Sequence, residues 1–513
     1  MEDSGGGAAD GGDSSSGPTR GGGERAEVIV IVISEHGDVV LDTTFQNSKD
    51  TIRAAKKAAT AQAPPSRRGG DPQAQQPPLP KARVRLAFRV DLAVLRRQSK
   101  YFDKLLGDTH FREANDVASA FAALTLKGVK PGAADAAELP WIAIHDDDAA
   151  TSYAYRELVF ADLLRILHGA DAATAQPQIT MAFVTTLAVL ADRFDCAAAV
   201  SKYVATGLKF KWPVTNRAKP ARDDGAGFSG MSRANENVLR QKILVSWLLN
   251  QPGKFTVATR ELIMNGSCQW SSFGEGVEDE TTSATWWYLQ DGLEQELQYR
   301  RNCILNTLAS VPRHFLLLYT SSRHTRQCKL GYDSSVACDS YQLGEMFKFL
   351  TNKGLLFLAD FSPSSLDAIA DTALLPVDSV LASLRQCPAY QIDKNHTNCG
   401  LRTRLLPILD FVQGLLSASS VPVSRAAWKV NRAAHAWMPA EGKKLSRDDD
   451  DDDAGERPFR FTRALAADQR LRFENTMGAD KFARDVFTAT SWDWTAEEQG
   501  LDHVSTTPRW TIR

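Results

Sequence analysis

Residues Phe88–Ala114, FRVDLAVLRRQSKYFDKLLGDTHFREA, decide how the first half of this chain folds. An apolar strand end runs into Asp91, whose short carboxylate is a favoured helix N-cap. Leu92, Leu95, Phe102 and Leu105 or Leu106 then fall at helical spacing on one face, with Arg96, Arg97, Lys100 and Lys104 on the others. The segment reads as strand, cap and a single amphipathic helix ended by Gly107. Phe111-Arg112-Glu113-Ala114 follows, with an aromatic ring expected to pack back beside an acidic residue.

On the N-terminal side, Arg83–Phe88 alternates basic and apolar residues as a half-exposed strand does. Ala26–Ser34 and Val39–Asp42 are rich in β-branched residues and read as two further strands. Residues 1–25 are Gly, Ser, Asp and Ala, too polar to offset the entropy of ordering, and are expected to be a disordered tail. Residues 49–81 turn to Ala, Gln, Pro and Arg, which predicts a disordered insertion; Ala63–Pro80 within it is Pro-rich. Residues 115–139, dominated by small side chains, are a candidate second insertion. Trp141–Ile144 is a strand, and helices near Tyr155–His168, from Thr180, and from Ala197 carry apolar stripes. Strands followed by a helix cluster give an α+β module over 26–212.

Residues 213–230 read as a linker. Residues 231–418 read as a mostly helical domain, with a loop at Asn265–Thr285 and with Leu293–Leu318 expected to break around Pro312. Past Ser419 the periodicity weakens, so 419–513 is predicted to be largely a disordered tail, with six consecutive aspartates at 448–453 as a solvated acidic run.

At 513 residues the chain exceeds one ordinary core, and a net charge of −2 implies no general attraction to nucleic acid or acidic membranes. No reading helix or aromatic platform accompanies the basic residues, so no direct nucleic-acid binding is expected. The absence of a long apolar run and of a basic, apolar leader predicts an intracellular protein with no membrane association, in nucleus or cytoplasm. Phosphate loops, dinucleotide fingerprints, nucleophile elbows and paired metalloprotease histidines are all missing, and no catalytic or cofactor-binding residue is assigned.

The α+β segment resembles the BTB (POZ) domain family. The resemblance rests on Gly37-Asp38-Val39-Val40-Leu41, Phe88–Leu95, Ser99-Lys100-Tyr101-Phe102, Phe111–Ala114, Leu163–Gly169 and Leu187–Cys196, in that order. It departs from the family in its long insertions and in Asp91, where the family commonly has His. It implies a protein-interaction adaptor or scaffold that binds other proteins, a second copy of itself, or a cullin in a ubiquitin ligase; a transcription-associated regulator is the other use. Arg96, Arg97, Lys100 and Lys104 are the candidate interaction residues. The second half is similar, through Cys328–Ser334 and Asn398–Arg402, to the segment that follows the BTB domain in a group of filamentous-fungal proteins.

Seven cysteines without a secretory signal are expected to be reduced thiols or metal ligands. Four of them lie in two short segments, HTRQCKLGYDSSVACDS (His324–Ser340) and CPAYQIDKNHTNCGLR (Cys387–Arg402). Zinc takes four sulfur or nitrogen donors in a tetrahedron, and two such loops can supply them. Cys328, Cys338, His396 and Cys399 are the first choice for a structural zinc site, with Cys387 and His324 in reserve. Two alternatives stay open: buried reduced cysteines beside helix ends, and a thiol nucleophile of lowered pKa beside His324 or His396.

Overall fold

The computed structural model describes residues 28–62, 80–170, 179–208, 210–215, 230–270, 289–321, 326–328, 330, 333–360, 372–439, 457–468, 471 and 477–495. The tail at 1–25, most of the 213–230 linker, most of the Pro-rich run, His324 and the aspartates at 448–453 lie outside them.

The fold is α+β. Strands β1 (Ile29–Val32), β2 (Val39–Gln46), β3 (Arg83–Val90) and β4 (Trp141–His145) form a mixed sheet in the order β1-β3-β2-β4. β2 and β3 are antiparallel with Leu41 opposite Phe88; β1 runs parallel to β3, and β4 parallel to β2. Alternation sends Leu41, Phe45, Phe88 and Val90 to one face and Val40 and Ala87 to the other.

Three segments of this module differ from their sequence reading. Lys49–Gln62 is a helix, α1, at the start of the expected insertion. Ser48 caps it by accepting from the Thr51 amide (3.1 Å), and Asp148 holds both Ser48 and Thr51. Its Ala-rich composition favours helix as readily as disorder. The opening segment contains two helices, α2 (Leu92–Gln98) and α3 (Lys100–Gly107), because Ser99 between them is extended at φ −137°, ψ 119°. Asp91 does cap α2, accepting from Val94 N at 3.0 Å. Residues 115–139 belong to the fold: α4 (Arg112–Leu126) and the turn after it bring Leu124, Ala134 and Leu139 over Val40 and Ala87. Phe111, expected to pack back, is 41% exposed.

The other sheet face packs on α2, α3, α5 (Arg156–Leu167), α6 (Met181–Arg193) and α7 (Ala197–Thr206). Phe102 stacks on Phe194 at 5.3 Å, and Phe88 meets Phe160 edge-on at 5.3 Å. At the start of α5, Arg156 is buried against Asp146 and Asp148.

The second half is a helical domain: α8 (Arg233–Leu248), α9 (Pro252–Asn265), α10 (Leu293–Thr320), α11 (Ser335–Asn352), α12 (Val377–Arg385) and α13 (Arg402–Leu416). α10 runs unbroken through the buried Pro312, one missing amide in a helix fixed by its packing. α8 serves both halves. Leu239 and Ile243 enter the helical core, while Val245, with Leu249 just past its end, enters the core of the sheet module.

Residues past 419 complete this domain, contrary to their expected disorder. α14 (Arg425–His435), the parallel pair β5 (Pro458–Arg460) and β6 (Ser491–Asp493), α15 (Arg463–Ala467) and α16 (Met477–Phe487) follow. Trp428, Trp437, Phe461, Phe487 and Trp494 are buried in the same core as α10 and α13. Their single large rings, spaced irregularly between polar residues, give no periodic signal. Arg300 of α10 fastens the segment, donating to the carbonyls of Ser420, Val421, Pro422 and His435 while pairing with Glu296 at 2.7 Å.

Candidate metal centre

The two cysteine-bearing segments meet at α11. Cys338 lies in the second turn of this helix with no exposed surface. The next residue, Asp339, accepts from the amides of Gln327 (2.9 Å) and Cys328 (2.8 Å), so the helix grips the loop that carries Cys328. Arg404 in α13 holds that loop from the other side, donating to the Gln327 side chain at 2.8 Å and its carbonyl at 3.0 Å.

The other segment is a tight polar turn. Asp393 accepts from the amides of Asn395 (2.7 Å) and His396 (3.1 Å), and Asn398 takes the left-handed conformation at φ 64°. At Gly400 a Cβ would lie 2.8 Å from the Tyr390 carbonyl, so no larger residue fits. Gln342 of α11 donates to the same carbonyl at 3.0 Å. These contacts bring His396 and Cys399 against α11.

One donor atom each from Cys328, Cys338, His396 and Cys399 lies within 4.8 Å of the other three. The Cys328 sulfur is 3.4 Å from His396 Nδ1 and 3.8 Å from the Cys399 sulfur, which is itself 3.8 Å from Nδ1. With Zn–S of about 2.3 Å and Zn–N of about 2.05 Å, a tetrahedron has S···S edges of about 3.8 Å and S···N edges of about 3.6 Å. Among Cys328, His396 and Cys399 the distances lie close to those edges, Cys338 completes the set within 4.8 Å, and the four donors could hold a metal ion.

The imidazole is prepared for this role. Nε2 lies 2.8 Å from Ser334 Oγ and 3.9 Å from an Asp393 carboxylate oxygen, while Nδ1 faces the sulfurs. This geometry suits a ring that donates from Nε2 to Ser334 and would offer Nδ1 to a metal.

The three thiols respond unequally to being together. For Cys328, burial acts upward, but hydrogen bonds from the Ser335 hydroxyl and the Leu330 amide, with those to Cys399 and His396, bring it down to about 7. Burial, then the nearby Cys399 and Cys328 sulfurs, push Cys338 up to about 12. Cys399 is raised by burial and by Cys328. Three thiolates at this separation repel, and a divalent cation removes that cost.

The four first-choice residues are thus brought together. Cys387, held in reserve, lies apart: it is fully buried in the helical core with its sulfur 3.7 Å from the Pro388 carbonyl. Among the candidate interaction residues, Arg96 pairs with Asp103 at 2.9 Å, and Arg97, Lys100 and Lys104 are exposed on α2 and α3. Ser334, Asp339, Asp393 and Arg404, which position the ligands, were not identifiable beforehand. Their types are common, and their role depends on contacts between distant segments. Among the described residues no helix is long and apolar enough to cross a membrane. No family model matches the chain, and no curated protein or solved structure is found to be similar to it.

Proposed function

We propose that this chain is a protein-interaction adaptor whose helical domain is held together by a structural zinc ion on Cys328, Cys338, His396 and Cys399. The observation that carries the metal reading is the convergence of three sulfurs and one imidazole nitrogen within 4.8 Å, with the Cys328, His396 and Cys399 atoms at separations close to the edges of a zinc tetrahedron. Four protein donors fill that tetrahedron and leave no position for water or substrate, which is the arrangement of a structural site. A thiol nucleophile is disfavoured on the same ground: Cys328 is 4% exposed, His396 is not exposed, and two more sulfurs crowd the pair.

The adaptor reading rests on the resemblance of the first module to BTB domains, and its mixed sheet with a helix cluster is compatible with that family. It draws further support from β1, an edge strand whose Ile29 and Val32 are 67% and 55% exposed. Exposed apolar side chains on a sheet edge mark a surface suited to another protein. The expected partners are a cullin or a second copy of this chain.

The purified chain should carry close to one equivalent of zinc, and Cys338→Ser should lower that occupancy sharply while Cys387→Ser leaves it unchanged; less than about half an equivalent in the parent chain overturns the zinc reading. Affinity capture with identification by mass spectrometry should recover a cullin. Consistent failure to do so, with the chain monomeric in solution, overturns the adaptor reading independently of the metal result.

A further inference from the structure

The four donors of the metal centre are not equally protected. Cys338 and His396 have no exposed surface and Cys328 has 4%, whereas Cys399 is partly exposed, on the irregular turn that follows Asn398. Cys399 is therefore the donor residue with the most exposure to a diffusing oxidant. The sulfur of Cys328, on the loop ahead of α11, lies 3.8 Å away. Cys328 and Cys399 both sit outside regular helix, so their sulfurs can close to bonding distance by loop movement alone. Cys338 is anchored within α11, and drawing it out would distort a helix turn.

We propose that Cys399 is an oxidation site at which hydrogen peroxide opens this centre, with a Cys328–Cys399 disulfide forming as the metal departs. This rests on the zinc reading above. The Cys399 thiolate attacks one peroxide oxygen; the O–O bond breaks, hydroxide leaves and a sulfenic acid forms. The Cys328 thiolate then attacks that sulfur, the S–O bond breaks and a second hydroxide leaves. Two thiolates lose two electrons to become one disulfide, and peroxide is reduced to two hydroxide ions. Cys338 and His396 remain as the only donors, too few to retain zinc. A dithiol reductant reverses the step and restores the four-donor set. The centre then joins the 326–328 loop to the 387–401 segment under reducing conditions and ceases to hold metal under oxidising ones.

The test uses the full chain, first shown by metal analysis to carry about one zinc per chain. Peroxide is added in stoichiometric steps, zinc release is followed with a chromogenic chelator, and disulfides are mapped by mass spectrometry of unreduced peptides. Zinc should leave in step with the loss of two thiols, and peptides containing Cys328 and Cys399 should become linked. Cys268, the other partly exposed cysteine, should stay unlinked. Dithiothreitol followed by zinc should restore occupancy. A link through Cys338, or zinc release without any Cys328–Cys399 link, overturns the proposal. A chain that takes up no zinc at the first step fails on the underlying metal reading, a distinct result.

Discussion

The imidazole of His396 has one nitrogen for the sulfurs and one for Ser334, and so depends on residues from both segments. Asp38 shows a different balance. Burial raises its carboxyl above the usual range; the bond from the Leu92 amide (2.8 Å) opposes this, and the neighbouring Asp91 adds to it. The folded state then keeps a proton that the unfolded chain gives up, so stability falls as pH rises through the interval between the two pKa values. At neutral pH that loss is complete. Asp38→Asn keeps an oxygen for the Leu92 amide and removes the charge, so it should raise the urea midpoint at pH 7, with the gain shrinking towards about pH 3. A lower midpoint for the variant at pH 7 would contradict this. Legibility in the sequence followed rarity. Cysteine and histidine are scarce enough for their clustering to stand out, whereas the raised carboxyl of Asp38 arises from a three-dimensional enclosure that has no sequence pattern.

Ser99 determines the geometry of the α2–α3 corner. Its hydroxyl accepts from the Phe102 amide at 3.1 Å, capping α3, and donates to the Phe194 carbonyl at 2.6 Å, tying the corner to the end of α6. Ser99→Ala loses the cap and leaves a buried carbonyl without this donor. It should destabilise the chain by about 1–3 kcal/mol in urea denaturation. A change below about 0.5 kcal/mol would show that the corner is held by Phe102 and Leu106 alone. Apolar spacing located this segment correctly because Leu95, Phe102 and Leu106 all face the core. It did not reveal the break, since a helix and a two-helix corner can bury the same residues. α1 and α4 were obscured for the opposite reason: alanine-rich sequence has helix propensity without a marked apolar stripe.

In the whole molecule α8 gives one side to each core, and Ser201 of α7 donates to the Leu249 carbonyl at 2.6 Å across the same junction. The halves are therefore mechanically continuous. The C-terminal segment is equally integral: the Trp494 indole donates to Ser310 of α10 at 2.8 Å, and Arg484 of α16 reaches the Ala434 and Ala436 carbonyls. A chain ended at Pro439 should lose protease resistance in α10, α13 and α14, which residues 457–495 cover, before it does so in the strands β1–β4. Undiminished resistance in the second half would show that residues 457–495 are dispensable for its core. The helical class of this domain was readable from periodicity, and its true extent was not, because isolated Trp and Phe residues acquire meaning only from the cavity that they fill.

The fastening of α10 by late residues also bears on biosynthesis. Arg300 leaves the ribosome 135 residues before the His435 carbonyl that it will hold, and Ser310 precedes its partner Trp494 by 184 residues. At about 5–20 residues per second, the second interval lasts roughly 10–40 s. Throughout it, the sheet module is already synthesised, while the part of α10 that residues 457–495 will cover stays without its C-terminal partners. The nascent chain is then a natural client for ribosome-associated chaperones, and slow translation of the last hundred or so residues would lengthen its exposure to aggregation.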